Sequence, residues 1–134
     1  MAVYFVDSWF FIALLYEPDD HHRRALRLAR RITGDRLVTH DAVMTEMLAF
    51  FSSAGASVRQ QAVEIVRRTV AQHHVEPVGR TLFLRELNRY EARPDKEYSL
   101  VDCMSMVVME DLDIQHVLTN DRHFQQAGFT LVNA

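Results

Sequence analysis

The sequence predicts an α/β domain in which a mainly parallel central sheet lies between helices on both faces. Short apolar runs alternate along the chain with longer segments in which apolar residues recur at helical spacing. Strands separated by helices of this length pair in parallel, because each helix crosses back over the sheet. No linker, repeat or low-complexity tract divides the 134 residues, so one domain with one hydrophobic core is expected over 1–134.

Five short apolar runs have the length and composition of buried strands. In chain order they lie at 3–6, 37–39, 75–78, 116–118 and 130–132. Pro77 has no N–H group to donate to a neighbouring strand, so the third run is predicted to lie at an edge of the sheet.

Seven longer segments have apolar residues at helical spacing and are predicted to be helices. In chain order they run over 9–16, 20–32, 41–51, 58–72, 81–93, 99–112 and 121–126. Pro18 and Pro94 end the first and fifth helices, because proline cannot continue a helix. Gly34, Gly55 and Gly128 mark three further boundaries, as glycine does after a helix.

Four carboxylates spread over the chain each lie at or near a predicted joint between a strand and a helix: Asp7, Glu46, Asp102 and Asp121. In an open parallel sheet, ligands bind beyond the carboxyl ends of the strands, where Asp7 and Asp121 are expected. Asp102 begins a helix whose N-terminus can point the same way. A cluster of carboxylates is stable chiefly with divalent cations, and oxygen ligands suit Mg²⁺ or Mn²⁺ better than zinc. Two such ions about 4 Å apart can promote phosphodiester hydrolysis.

Each aspartate also has a purely structural explanation, because aspartates cap helix N-termini. Asp7 and Asp121 stand at the starts of predicted helices, and Ser99 followed by Asp102 resembles a capping box. The same reasoning predicts caps elsewhere in the chain, at Asp19, Asp20 and Asp41. Glu46 differs, since it lies inside the third helix beside its apolar face, where a buried carboxylate needs a partner.

Composition and charge restrict the function only loosely. The net charge of −3 is unlike that of most nucleic-acid-binding proteins. If four of the 18 acidic residues hold cations, however, the other 14 negative charges are balanced by 15 lysines and arginines. The rest of the surface is then nearly neutral. The single Cys103 fits a reducing compartment and a buried helix position. No apolar run approaches the roughly 20 residues that span a bilayer, so a cytoplasmic protein is expected.

Three segments carry a resemblance to a known family: VYFVDSWFFIALL, VTHDAVMTEMLAF and YSLVDCMSMVVMEDLDIQHVLTNDRHFQQAGF. They resemble the acidic motifs of PIN-domain ribonucleases, especially VapC-type toxins of toxin–antitoxin pairs. Residue by residue, the resemblance places Asp7, Glu46, Asp102 and Asp121 at the metal-site acids of the family. It implies a three-layer α/β/α fold, Mg²⁺- or Mn²⁺-dependent cleavage of RNA, and a cognate antitoxin as partner. Val101 departs from the pattern, since a hydroxyl residue is common there.

Residues beside the acids have weaker signatures. Ser8, Ser99, Thr119 and Asn120 can orient carboxylates or cap helices, and His123 is expected to pack or to form a hydrogen bond near the site. The paired histidines at 21–22 and 73–74 are expected to be exposed. Two basic rows can contact an RNA backbone or acids of a protein partner: Arg23, Arg27, Arg30 and Arg31, and Arg85, Arg89 and Arg93. Dimerisation can use Phe50, Phe51 and the aromatic residues at 9–11, although core packing explains most of these.

Two other functional classes remain open from the residues. A PIN-like binding module for RNA or protein, without catalytic activity, would need the acids to be only structural. A phosphotransfer or phosphatase domain of similar build fits less well. A receiver domain needs an acidic pair where Asp7 is followed by Ser8, and a haloacid-dehalogenase-type phosphatase needs an aspartate where Trp9 stands.

Overall fold

The structure is a computed structural model that describes residues 1–18 and 20–132. Five strands and seven helices alternate over these residues. In chain order they are β1 (Val3–Val6), α1 (Ser8–Leu15), α2 (His21–Arg31), β2 (Arg36–His40), α3 (Asp41–Phe50), α4 (Ala56–Gln72), β3 (His74–Glu76), α5 (Arg80–Ala92), α6 (Leu100–Asp111), β4 (His116–Leu118), α7 (Arg122–Gln126) and β5 (Thr130–Leu131).

The strands form one sheet in the order β3-β2-β1-β4-β5, and all four neighbouring pairs are parallel. The predicted parallel sheet is therefore confirmed. β3 lies at an edge, as Pro77 predicted, but the strand occupies 74–76 and not 75–78. It ends before the proline, because a residue without an N–H group cannot extend the ladder.

Helices cover the sheet and enclose one core. α1 packs against α2, α3 and α4, while α5 packs against α6. In the central strand β1, Phe5 and Val6 are fully buried. Seven of the twelve residues of α6 are buried, and Cys103 is one of them, as predicted. The described helices are too short or too polar for any of them to cross a membrane.

Several predicted helix starts need correction. α3 is capped by His40, whose Nδ1 accepts a hydrogen bond from the Val43 N–H at 3.3 Å, and not by Asp41. Asp41 instead accepts from the Val78 N–H at 3.2 Å. Asp20 occupies the N-cap position of α2, but its side chain makes no capping bond, and Asp19 lies outside the described residues.

The paired histidines are partly buried, so the prediction that they are exposed is wrong. The Nδ1 of His73 accepts a hydrogen bond from the Leu37 N–H at 3.1 Å, and His74 pairs with Glu76. His22 Nδ1 lies 2.7 Å from the carbonyl oxygen of Ala13. The contacts of His73 and His22 connect neighbouring elements, whereas that of His74 lies within β3, so these histidines serve the fold.

Candidate metal centre

The four acids lie at the carboxyl edge of the sheet, where the strand order reverses. Asp102 and Asp121 lie close enough together to share a metal ion, whereas Asp7 and Glu46 are linked to them through Coulomb repulsion. β2 and β3 extend from one side of β1, and β4 and β5 extend from the other. Such a switch point leaves a crevice beyond the strand ends, because the connections on its two sides diverge. Asp7 follows β1 and Asp121 follows β4, so these carboxylates border the crevice.

Asp7 is the most enclosed of the four acids, with 7% of its surface exposed. Its Oδ1 accepts a hydrogen bond from the Ser8 N–H at 2.9 Å, which caps α1. Its Oδ2 accepts from the Thr119 hydroxyl at 2.7 Å. The Thr119 hydroxyl oxygen in turn accepts from the Asp121 N–H at 3.1 Å. One buried threonine therefore ties Asp7 to the loop that carries Asp121.

Asp102 and Asp121 are helix caps in the structure, as the structural explanation predicted. The Asp102 carboxylate accepts from the Ser99 N–H at 3.1 Å, and the Ser99 hydroxyl accepts from the Asp102 N–H at 3.0 Å. This completes a capping box at the start of α6. Asp121 Oδ1 accepts from the His123 N–H at 2.9 Å and caps α7. Capping fixes both carboxylates at the crevice, so it does not exclude a metal-binding role.

Glu46 reaches the same crevice from α3. It is exposed, so the expectation of a buried carboxylate beside the apolar face does not hold. Two neighbours act on its charge instead. The Ser8 side chain favours the charged carboxylate, and the Asp102 carboxylate repels it.

The pKa values show that the acids share one electrostatic environment. Burial raises the pKa of Asp7 to about 6, and repulsion from Asp102 and Glu46 adds to this, while the bonds from Thr119 and Ser8 oppose it. Although Glu46 is exposed as a whole residue, partial burial of its carboxyl group raises its pKa; the Ser8 side chain opposes this effect, and repulsion from Asp102 adds to it. The pKa of Asp102 is raised by burial and by Asp121, against opposing effects of Ser99 and His123. Asp102 is therefore coupled to each of the other three acids.

His123 lies within this cluster. Asp102, Asp121 and His123 each offer one potential ligand atom, and these three atoms lie within 4.8 Å of one another. The Nδ1 of His123 is 3.1 Å from Asp121 Oδ1 and 3.8 Å from Asp102 Oδ2. This nitrogen is buried and makes no hydrogen bond to the described residues. Carboxylate oxygens that repel one another beside a nitrogen that makes no hydrogen bond are a donor set that fits a divalent cation.

The sequence predicts the four acids as metal ligands, and it gives His123 only a packing or hydrogen-bonding role beside them. The signal was present, because His123 is two residues from Asp121, within the motif T-N-D-R-H-F. Thr119 was named only as a neighbour. Its bond to Asp7 joins residues 112 positions apart, which local periodicity cannot reveal.

The basic row of α5 neutralises acids of the same chain. Glu86 is fully buried, with Arg85 Nε at 3.2 Å and Arg89 Nε at 3.5 Å from its carboxylate oxygens. Arg85 also pairs with Asp111 at 3.6 Å, and Arg89 with Glu110 at 3.9 Å. These two arginines join α5 to α6, so the predicted role of this row in RNA contact loses support.

Comparison with known proteins agrees with this geometry. The family model of the PIN domain matches residues 4–130. The chain belongs to the PIN domain family. This PIN domain is similar in structure to VapC20 of Mycobacterium tuberculosis, a sarcin-ricin loop cleaving toxin whose crystal structure is known. The TM-score is 0.84 at 28% identity, and the match covers 99% of this chain and 100% of that chain. No curated protein matches the sequence.

Proposed function

We propose that this PIN domain is a metal-dependent endoribonuclease and the toxin of a toxin–antitoxin pair. The observation that carries the proposal is the convergence of Asp7, Glu46, Asp102 and Asp121, from four separate parts of the chain, at the switch point of the sheet. The similarity to VapC20, which is an RNA-cleaving toxin over the same length of chain, supports it.

The four acids are proposed to hold Mg²⁺ or Mn²⁺. Bound divalent cations would make a water molecule nucleophilic and neutralise charge on the phosphodiester. Thr119 keeps the Asp7 carboxylate in place, and Ser99 does the same for Asp102. Asp7, Asp102 and Asp121 would be ligands, while Glu46, from the exposed side, would hold a second ion or its water.

A PIN-like binding module without activity is the alternative. Such a module would have no use for carboxylates held close enough to repel one another, because this repulsion costs stability in the absence of a cation. The repulsion of Asp102 with Asp7 and with Asp121 therefore favours the nuclease. A phosphatase of similar build lacks support, since residue 9 is Trp and residue 8 is Ser.

The expected partners follow from this proposal. They are an RNA substrate and an antitoxin protein. We propose the cytoplasm as the location and a single domain over residues 1–134. We also propose homodimerisation. Of the aromatic residues at 9–11 and 50–51, Phe10, Phe11 and Phe51 are buried in the core, whereas Phe50 is 51% exposed and contacts the exposed Tyr16. We propose that Phe50 and Tyr16 mark the apolar surface available to a second copy or to the antitoxin.

The proposal is tested with purified protein and two substrates, a mixed RNA pool and a synthetic sarcin-ricin loop hairpin. We expect cleavage with Mg²⁺ or Mn²⁺ and none with EDTA. Asp102→Asn should reduce the rate by more than about 100-fold, because loss of even an outer-shell partner costs 10–100-fold. Glu64→Gln on α4 is the matched control and should keep full activity. Cleavage that survives both EDTA and Asp102→Asn would refute the metal-dependent mechanism, and mapping the cut ends identifies the substrate.

A further inference from the structure

Arg24 is held between the two segments that carry Asp7 and Asp121. Its Nη1 donates a hydrogen bond to Asn120 Oδ1 at 2.9 Å. Its guanidinium carbon lies 5.0 Å from the centroid of the Trp9 ring, a cation–π distance. Trp9 follows Asp7 by two residues, and Asn120 immediately precedes Asp121. A positive charge is thereby fixed beside the acidic cluster.

Arg24 and Arg122 line the same cavity. It has a volume of about 460 Å³ and lies between the start of α2 and the segment from β4 to β5. Asn120, Gln125 and Phe129 contribute an amide, a second amide and an aromatic ring to its wall. Among the described residues that line it there is no carboxylate. The exposed Arg122 brings a positive charge to a wall that has no acid among its described residues, which makes this cavity suited to an anion.

The cavity adjoins the proposed cleavage site. Asn120 and Arg122 flank Asp121 in the chain, so each of their Cα atoms is about 3.8 Å from that of Asp121. The acidic cluster accepts a phosphate only with its cations bound, and it repels the phosphates on either side. Arginines beside it would offset that repulsion, and a planar guanidinium binds phosphate oxygens well.

We propose that this cavity binds the backbone phosphate next to the one that is cleaved, in a single-stranded stretch of RNA. The inference rests on the proposed function and extends it to a substrate subsite. Arg122 and the Gln125 amide would contact the phosphate, while Arg24 supplies a charge that Asn120 and Trp9 hold in position. Phe129 offers a ring on which the adjoining base can stack. An acidic protein segment would not need this aromatic surface.

The test measures RNA binding, so that it does not depend on cleavage. All proteins carry Asp102→Asn, and binding of a fluorescent single-stranded RNA is followed by anisotropy in Mg²⁺ at several salt concentrations. Each phosphate contact contributes roughly 0.7 to the slope of log affinity against log salt for single strands. We expect Arg122→Ala to lower that slope by about 0.7 and Arg24→Ala to lower it by less, because only Arg122 is proposed to contact the phosphate. Arg67→Ala is the matched control, because α4 packs beside β3, at the opposite edge of the sheet, and it should not change the slope.

Arg122 is exposed, so its substitution should leave the fold intact even if Arg24→Ala does not. Unchanged slopes in both variants, or an equal change in Arg67→Ala, would overturn the subsite and leave an acidic protein segment as the occupant that fits the charge. Failure of the proposed function gives a different result, because the chain with its native Asp102 would then cleave no RNA in Mg²⁺ or Mn²⁺. A chain that binds no RNA at all would overturn both the phosphate subsite and the proposed function.

Discussion

Asp7 illustrates how a single residue can favour function over stability. Its carboxylate is nearly inaccessible to water and faces two other acids, and these surroundings raise its pKa from 3.8 to about 6. Between about pH 4 and pH 6 the folded chain binds more protons at this site than the unfolded chain does. The free energy of unfolding therefore falls as the pH rises through this window, and it stays lower above it.

We accordingly predict that Asp7→Asn stabilises the metal-free protein at pH 7, although it should abolish cleavage. The gain should approach ~3 kcal/mol, because one pKa unit corresponds to about 1.4 kcal/mol, and it should vanish near pH 4. Urea denaturation in EDTA at both pH values measures it, with Glu64→Gln as the control. A variant that is less stable than the unaltered chain at pH 7 would show that the Asp7 carboxylate stabilises the fold.

At the scale of the element, the start of α3 depends on an uncharged histidine. His40 is fully buried, and its Nε2 lies 2.8 Å from the Ser105 hydroxyl oxygen of α6. Because Nδ1 accepts the capping bond from Val43, the ring proton is on Nε2 and is donated to Ser105. Burial lowers the pKa of His40 from 6.5 to about 4. The unfolded chain therefore binds more protons between these values, and stability is lost as the pH falls through the window.

His40→Asn should remove this dependence on pH, since asparagine is a good N-cap and does not titrate. The measurement is best made in the Asp7→Asn background, because Asp7 titrates in the same range with the opposite sign. We expect the loss of unfolding free energy between pH 6.5 and pH 4.5 to be smaller in the His40→Asn variant. Equal losses with and without His40 would exclude it as the titrating group.

Elements whose signals are local could be predicted from the sequence, and those set by distant contacts could not. β1 and α6 were predicted almost to the residue, because an apolar strand and a Ser99–Asp102 capping box are continuous in sequence. The cap of α3 was assigned to Asp41 because histidine is an uncommon cap. His40 takes that role through Ser105, 65 residues away.

At the scale of the whole molecule, the parallel topology brings the acids together. A helix that follows or precedes a parallel strand runs antiparallel to it, so the N-termini of α1, α3, α6 and α7 all lie at the carboxyl edge of the sheet. This rule and the family resemblance are the basis for predicting that the four acids share one site. They did not predict the contact between Arg24 and Asn120, which joins residues 96 positions apart and leaves no periodic pattern.

The most direct test of the proposed metal centre is calorimetric titration of Mn²⁺ into the metal-free protein and into four variants, Asp7→Asn, Glu46→Gln, Asp102→Asn and Asp121→Asn. If the acids form one centre, each substitution should weaken binding by more than about 10-fold, because each removes a ligand or a negative charge that the others share. Glu64→Gln should bind as the unaltered chain does. Undiminished Mn²⁺ affinity in the four variants, or no binding by the unaltered chain, would contradict a metal centre built from these residues.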